Sequence, residues 1–314
     1  MQPALPLKRV SRLRPRKLTP LRLRTTVAAF GFLAPYLIVL TVFTLIATVT
    51  AFYLSFFYVN FGFTEPIWYG LKNYQIIWYD LTHNGHFLNS LINIVKYTVG
   101  VVTLQTVLSL ALALLLNTKV RGRGFFRTAF YLPALTSSVA ISLIFLWLYN
   151  THGGLNYLLG LVGIPAHSWL NDPNTALPAI MLLNIWTTAP TFMLVYLAAL
   201  QDIPETLFEA ARIDGATTWD TIRHITVPLL RPTTFVVVAL GTIGASQLFD
   251  QVYVMQGPDC GPLGSTCTPA LIIYNTAFKN SLMGLACAQA FVLFVVIFTL
   301  TVLQKRFLDA NIQY

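Results

Sequence analysis

The sequence predicts an all-α polytopic membrane protein with six transmembrane helices, on three observations: six long apolar segments, little charge between them, and Lys and Arg confined to alternate loops. Hydrophobic residues make up 56% of the 314 and charged residues 10%, with a mean hydropathy of +0.66. A soluble domain carries roughly 25% charged residues, so a soluble globular class is excluded.

A span needs about 20 apolar residues to cross a ~30 Å hydrocarbon core. Six segments qualify: 26–58, 91–116, 128–149, 176–200, 233–255 and 282–303. The first is long enough for a tilted or broken span, and Pro35 can break it. A cleaved signal peptide has an apolar region of only about 7 to 15 residues, so the first segment is expected to remain a span. The domain reading is a basic tail, 1–25, followed by a transmembrane domain, 26–314.

Lys8, Arg9, Arg12, Arg14, Arg16, Lys17, Arg22 and Arg24 precede the first span with no acid among them. Lys119, Arg121, Arg123 and Arg127 lie between spans two and three, Arg212, Arg223 and Arg231 between four and five, and Lys305 and Arg306 after six. The opposite loops hold only Lys72 and Lys279. The positive-inside rule therefore places both termini in the cytoplasm. The net charge of +9 is topological, and nucleic acid is not needed to explain it.

The one extended polar island between apolar segments is 201–231. Asp202 reads as the N-cap of a short helix, with Glu205 as its capping-box partner and Pro204 in its first turn. Gly215 stands where a left-handed residue stops that helix. A second helix starts at Thr217 or Thr218, runs through Trp219, Ile222 and Ile225, and is expected to end near Pro228. Ala210 and Ala211 present little side chain, so a partner can approach their backbone closely. An amphipathic helix at the membrane interface fits the pattern equally well.

Polar groups inside spans are expensive and should face a cavity or a partner helix. Span four holds Asn184, Trp186, Thr187, Thr188 and Thr191; span five holds Ser246, Gln247, Asp250 and Gln251, at spacings that keep one helical face. Ser138 lies near the middle of span three. Together they suit a hydroxyl-rich solute, against the alternative that they join helices to one another. Cys260 and Cys267 share one outer loop, where a disulfide and two free thiols are both open. Cys287 reads as a packing residue, and no metal-ligand spacing is present.

The island carries Glu209-Ala210-Ala211, Gly215, Ile225 and Val227-Pro228, a spaced set that resembles the EAA loop of the membrane subunits of ABC importers, with Val227 where Leu is usual. Further elements are similar to the oligosaccharide and glycerol-phosphate branch of type I importer permeases: Gly70-Leu71-Lys72-Asn73-Tyr74, the run from Gly122 to Pro133, Gly153-Gly154-Leu155-Asn156, and Trp169-Leu170-Asn171-Asp172-Pro173. The resemblance spans residues from about 32 to the C-terminus.

It implies the type I permease fold and a coupling helix in which Glu209, Ala210, Ala211, Asp214, Gly215, Ile225 and Pro228 meet an ATPase subunit. Asn184-Ile185-Trp186 matches an Asn-x-Trp stretch that contacts sugar in maltose-type permeases, which also use polar positions matching Gln247, Asp250 and Gln251 and a serine near Ser138. Thr187, Thr188 and Thr191 depart from that pattern, so the same sugar is not implied. The implied partners are a second permease, a cytoplasmic ABC ATPase dimer that carries ATP and Mg, a solute-binding protein and lipid. The implied location is the bacterial or archaeal cytoplasmic membrane. No Gly-Lys dipeptide occurs, so no Walker A loop is present and no cofactor is expected on this chain. The competing reading is a secondary transporter, which calls for inverted repeats and a coupling-ion site; no repeat is evident.

Overall fold

In a computed structural model, residues 20–60, 62, 65–118 and 122–308 are described. Most of the basic tail, together with Lys119 and Arg121, lies outside the described residues. The chain divides into two units, 1–53 and 54–314.

The first unit holds α1 (Pro20–Val39), a π-helical stretch Leu40–Ile46, and all but the last residue of α2 (Ala47–Leu54). Pro35 does not break the helix as expected; α1 continues through it. The hydrogen-bond register widens to the π form one turn later, a local adjustment that absorbs a misfit without ending the helix. The apolar side chains here, Phe32 and Phe43 among them, are exposed.

In the second unit the chain leaves its helix after Leu54, short of the predicted end at Tyr58, because Phe57–Tyr58 (β1) pairs antiparallel with Ile67–Trp68 (β2). Asn73 fixes this corner: its buried Nδ2 donates to the carbonyls of Ser55 at 2.8 Å and Phe57 at 3.0 Å. The Tyr74 hydroxyl lies 2.8 Å from Ser55 Oγ. Then follow α3 (Lys72–Thr82) and α4 (His86–Asn117).

The third predicted span is not one straight helix. It is α5 (Arg123–Tyr131), a 3₁₀ turn Leu132–Leu135, and α6 (Ser138–Leu148), bent by 94°. Pro133 cannot donate to the helix ladder, and Thr136 and Ser137 are extended, with ψ of 142° and 136°, so α-helical bonding cannot pass this point. After α7 (Gly154–Leu161), α8 (Ala176–Gln201) fills the fourth predicted span almost residue for residue.

The polar island folds as α9 (Glu205–Ile213), α10 (Thr218–Thr221), a π-helical segment Ile222–Thr226 and α11 (Val227–Leu229). The fifth predicted span is broken into α12 (Arg231–Ser246) and α13 (Asp250–Gln256), with Gln247, Leu248 and Phe249 between the two helices. The break is supported from outside: Leu248 is buried and its carbonyl accepts the Thr268 hydroxyl at 2.8 Å. Non-helical backbone at membrane depth requires such a partner. Last come α14 (Pro269–Tyr274), a π turn Asn275–Lys279 and α15 (Met283–Leu308), the sixth span.

The most extensive contact is α4 on α8; α12 packs on α4 and α15, and α13 on α6. One apolar core joins Tyr97 and Val101 of α4 to Ile180 and Leu183 of α8, Phe145 of α6 and Val252 of α13. A second core lies at the other end of α8, where Met193, Tyr196 and Leu200 meet Ala113, Ile203, Leu230 and Val237, with Phe208 packed against them. The broken spans thus sit over the first core, and the α9–α10 loop is seated on the second.

Candidate functional site

Two sites emerge, a polar seam where α4, α8 and the α12–α13 break converge, and the α9–α10 loop.

In the seam, Asn184 Nδ2 of α8 donates to Gln251 Oε1 of α13 at 3.2 Å. Thr188 Oγ1, one turn along, lies 2.7 Å from Gln105 Oε1 of α4 and 2.8 Å from the Asn184 carbonyl, so its single proton serves either. Thr98 and Ser246 hydroxyls meet at 3.4 Å. Gly241 permits this approach, since a Cβ there would stand 2.3 Å from Gln105 Nε2. Pro190 lies inside α8 and has no N–H for the carbonyl of Trp186, which leaves a backbone acceptor near Asn184. Asn184 Oδ1 and Gln251 Nε2 have no partner among the described residues. The seam therefore offers both donors and acceptors.

Of the residues expected to bind solute, Asn184, Thr188 and Gln251 come together. Trp186 is half-exposed with its ring 5.5 Å from Phe145. Ser138 is the first residue of α6, and its carbonyl accepts Ser142 Oγ at 2.7 Å. Thr191 is exposed. Thr187 bonds back to its own helix, 2.9 Å from the Asn184 carbonyl.

Gln247 departs from the expectation of one shared face. It lines an apolar cleft of about 350 Å³ with Ile243 of α12 and Leu293, Phe294 and Ile297 of α15. Asp250 is exposed in the first turn of α13 and has no ion-pair partner among the described residues. For Gln247 the cause is the break, where the 3.6-residue period that would align it with Gln251 is lost; Asp250 precedes Gln251 in the same helix and so points about 100° away from it.

Gln105 and Thr98 were not singled out from the sequence. The signal was present, because Thr98, Gln105 and Ser109 repeat at seven and four residues along an otherwise apolar helix, one stripe of α4. All three are buried, and Ser109 Oγ reaches the Ala189 carbonyl at 2.9 Å.

The loop is built on two caps. Gly215, at φ +75°, ends α9 in a Schellman motif: Ala216 N donates to the Ala211 carbonyl at 2.9 Å and Gly215 N to the Arg212 carbonyl at 3.2 Å. Thr217 then starts α10 with a capping box, accepting from Asp220 N at 3.2 Å while Asp220 Oδ2 accepts from Thr217 N at 3.1 Å. The Thr217 side chain, then its backbone, hold the Asp220 carboxyl below its ordinary value. This corner matches the expected helix, glycine corner and helix.

Two local expectations fail. Asp202 does not cap α9; it is the C-cap of α8, its N–H donating to the Ala199 carbonyl at 3.3 Å, and Pro204 is the N-cap without a side-chain bond. The second helix does end near Pro228, as expected: α11 stops at Leu229, and Leu230, with ψ of 1°, separates it from α12. Ala211 is buried within this chain, whereas Ala210 is exposed. The outward surface instead comprises Glu209, Ala210, Asp214 and two apolar side chains the sequence did not mark, Ile213 at 86% exposed and Trp219 at 68%. Ile225 and Pro228 are half-buried behind it.

At the far end of the molecule, Asn156 joins two of the family-like elements. Its Nδ2 donates to the His167 carbonyl at 2.8 Å, and its Oδ1 accepts Trp169 Nε1 at 3.0 Å. Cys260 and Cys267 are joined by a disulfide with Cα atoms 4.3 Å apart, and Cys287 is free.

Residues 105–312 match the family model described as binding-protein-dependent transport system inner membrane component. The chain is 32% identical over 282 residues to the probable ABC transporter permease protein YesP of Bacillus subtilis, covering 89% of this chain and 90% of that protein. It is 31% identical over 288 residues to the trehalose/maltose transport system permease protein MalF of Thermococcus litoralis, covering 91% and 95%. It is 34% identical over 253 residues to the sn-glycerol-3-phosphate transport system permease protein UgpA of Agrobacterium fabrum, covering 78% and 82%. The fold matches a chain of a crystal structure of a bacterial ABC transporter for the acidic polysaccharide alginate, at a TM-score of 0.75 and 20% identity over 93% of this chain and 98% of that one. With such coverage the secondary-transporter reading falls away, and the chain belongs to the binding-protein-dependent transport system inner membrane components, the translocation subunits of ABC importers, in which ATP is hydrolysed on a separate subunit.

Proposed function

We propose that this permease carries a sugar or oligosaccharide across the cytoplasmic membrane and that the seam of Asn184, Thr188, Gln251 and Gln105 is where the solute is held. The observation that carries the reading is the meeting of Asn184, Gln251, Thr188 and Gln105 beside the break at Gln247–Phe249, with Asn184 Oδ1 and Gln251 Nε2 left without a partner among the described residues. Interrupted helices recur at solute sites in transporters because they alone expose backbone polar groups at that depth. A polyol leaving water must replace its hydrogen bonds, and amides supply donors and acceptors together. The relatives named for trehalose and maltose, lactose, and arabino-oligosaccharides support the solute class; the one named for glycerol 3-phosphate marks the alternative within it.

In this reading the α9–α10 loop docks on an ABC ATPase dimer that binds ATP and Mg, with Ile213 and Trp219 as apolar anchors beside Glu209, Ala210 and Asp214. A second permease completes the pore and a solute-binding protein delivers the sugar from outside. Both termini lie in the cytoplasm, as the Lys and Arg distribution indicates. The test is to purify the tagged chain with its native partners and measure ATPase activity with trehalose, maltose, lactose, arabino-oligosaccharides and glycerol 3-phosphate. Stimulation by a sugar is expected; stimulation by none of the carbohydrates overturns the solute class.

A further inference from the structure

We propose that a polar pocket at the end of the bundle opposite the α9–α10 loop is a second binding site, separate from the seam, for a neutral hydroxyl-rich solute. The pocket measures about 750 Å³, within the range of small-molecule sites. It lies at the start of α4, a helix of 32 residues and so roughly 48 Å long, whose other end meets the loop. Its walls are the first turns of α4, the disulfide loop, the π turn after α14, and Gln289 of α15.

Two features define what it binds. The one lysine or arginine in the lining is already paired, since Lys279 lies 3.4 Å from Asp259, while Asp80 Oδ2 accepts from the Phe87 and Leu88 N–H groups at 2.9 and 3.2 Å. An anion therefore finds no unspent lysine or arginine in the lining, while carboxylate and amide oxygens there can accept O–H groups. The amides are spent on one side only. Asn93 gives its Nδ2 to the carbonyls of Gly264 and Cys267 at 2.9 and 3.2 Å, and Asn275 gives its Nδ2 to Pro258 at 2.8 Å. Asn275 Oδ1, Gln289 Oε1 and Ser265 Oγ are buried without a hydrogen-bond partner, and Gln289 is only 7% exposed.

Buried acceptors without donors are costly, so a lining rich in them fits a ligand that brings O–H groups. Among the described residues no group of His, Cys, Asp and Glu is placed to hold a metal, and a phosphate brings no donors. A sugar does. The disulfide between Cys260 and Cys267 anchors the carbonyls that orient Asn93, so the pocket is built before solute arrives. None of the seam residues lines it.

The choice of sugar as ligand rests on the importer reading, and the test keeps the two apart. Saturation-transfer NMR on the assembled complex in nanodiscs, with maltotriose, lactose and arabinotriose as probes, is compared among wild type, Gln289→Leu, Asn89→Ala and Asn184→Ala. Asn89 is exposed on the pocket rim, so its truncation does not threaten folding. At least one sugar is expected to give a signal that survives Asn184→Ala and weakens about three- to tenfold in apparent affinity in Gln289→Leu and Asn89→Ala. No signal from any of the three, or a signal insensitive to both pocket variants, overturns the proposal. Pocket binding without ATPase stimulation by any sugar overturns the solute class of the transport cycle and leaves this site standing.

Discussion

Replacing Asn184 or Gln251 by Ala separates a solute contact from a helix-to-helix bond. The two side chains share one hydrogen bond at 3.2 Å, at the long end for N–H donors. Asn184 is half-buried and Gln251 is 9% exposed. If solute takes the free Asn184 Oδ1 and Gln251 Nε2, each truncation removes one neutral hydrogen bond, ~0.5 to 1.5 kcal/mol, or about two- to twelvefold in the sugar concentration for half-maximal ATPase stimulation. Gln251→Ala is expected to cost more stability than Asn184→Ala, because it also empties a buried volume. The assay is sugar-stimulated ATPase activity of the assembled complex alongside its thermal melting, for both single variants and the double. Unchanged half-maximal sugar concentration with a lowered melting temperature in each single variant, and little further loss in the double, would falsify the solute role and leave a bond between α8 and α13.

Four further outcomes follow from the same geometry. At Gly215 no atom lies within 4 Å of an added Cβ, so Gly215→Val acts only through its left-handed backbone, costing about 1 to 2 kcal/mol at the corner; Gly215→Asn should couple ATPase to transport better than Gly215→Val, and equal behaviour would contradict the Schellman reading. Ala210→Arg should abolish ATPase co-purification from a folded permease, whereas Ala211→Arg, buried in its own chain, should lower the permease's own stability; identical profiles would sink the distinction. Asp220 has its carboxyl lowered by Thr217, so the cap's contribution is present above the ordinary carboxylate value and is lost as pH falls below that value through the folded one; hydrogen exchange at 217–221, corrected for intrinsic rate, should accelerate there, and a wild-type profile identical to that of Asp220→Asn would refute it. Exposed cysteines introduced at Asn171 and Ile213 should label from outside and only after permeabilisation, respectively; early labelling at 213 inverts the topology.

The spans were legible because twenty-residue apolar runs have few other uses, and α8 and α15 follow the predicted limits closely. Their breaks were not. Pro35 can break a helix and does not, since α1 runs on through it, whereas the helix at Pro228 ends one residue later, as expected. Pro133 does stop one, where Thr136 and Ser137 turn extended. The break at Gln247–Phe249 has no proline at all; the Thr268 hydroxyl, twenty residues away, takes the Leu248 carbonyl. A sequence window cannot contain that partner. The cost of this blindness was specific: continuous helical phase was assumed through residue 251, so Gln247 was aligned with Gln251 when the structure turns it toward α15.

The α9–α10 loop shows the complementary case. Thr217, Asp220 and Gly215 act within six residues, so local pattern sufficed for the second helix and the corner. Asp202 failed because its backbone still belongs to the last turn of α8, and a side chain held there is not free to serve the next helix. Ala211 failed for a different reason. Small residues permit close approach from either side, and whether the approaching surface is a partner or the chain's own second core depends on Ile203 and Phe208, which turn that face of α9 inward. The docking surface proposed above is consequently drawn by what α9 and α10 leave exposed, the apolar side chains of Ile213 and Trp219 among it.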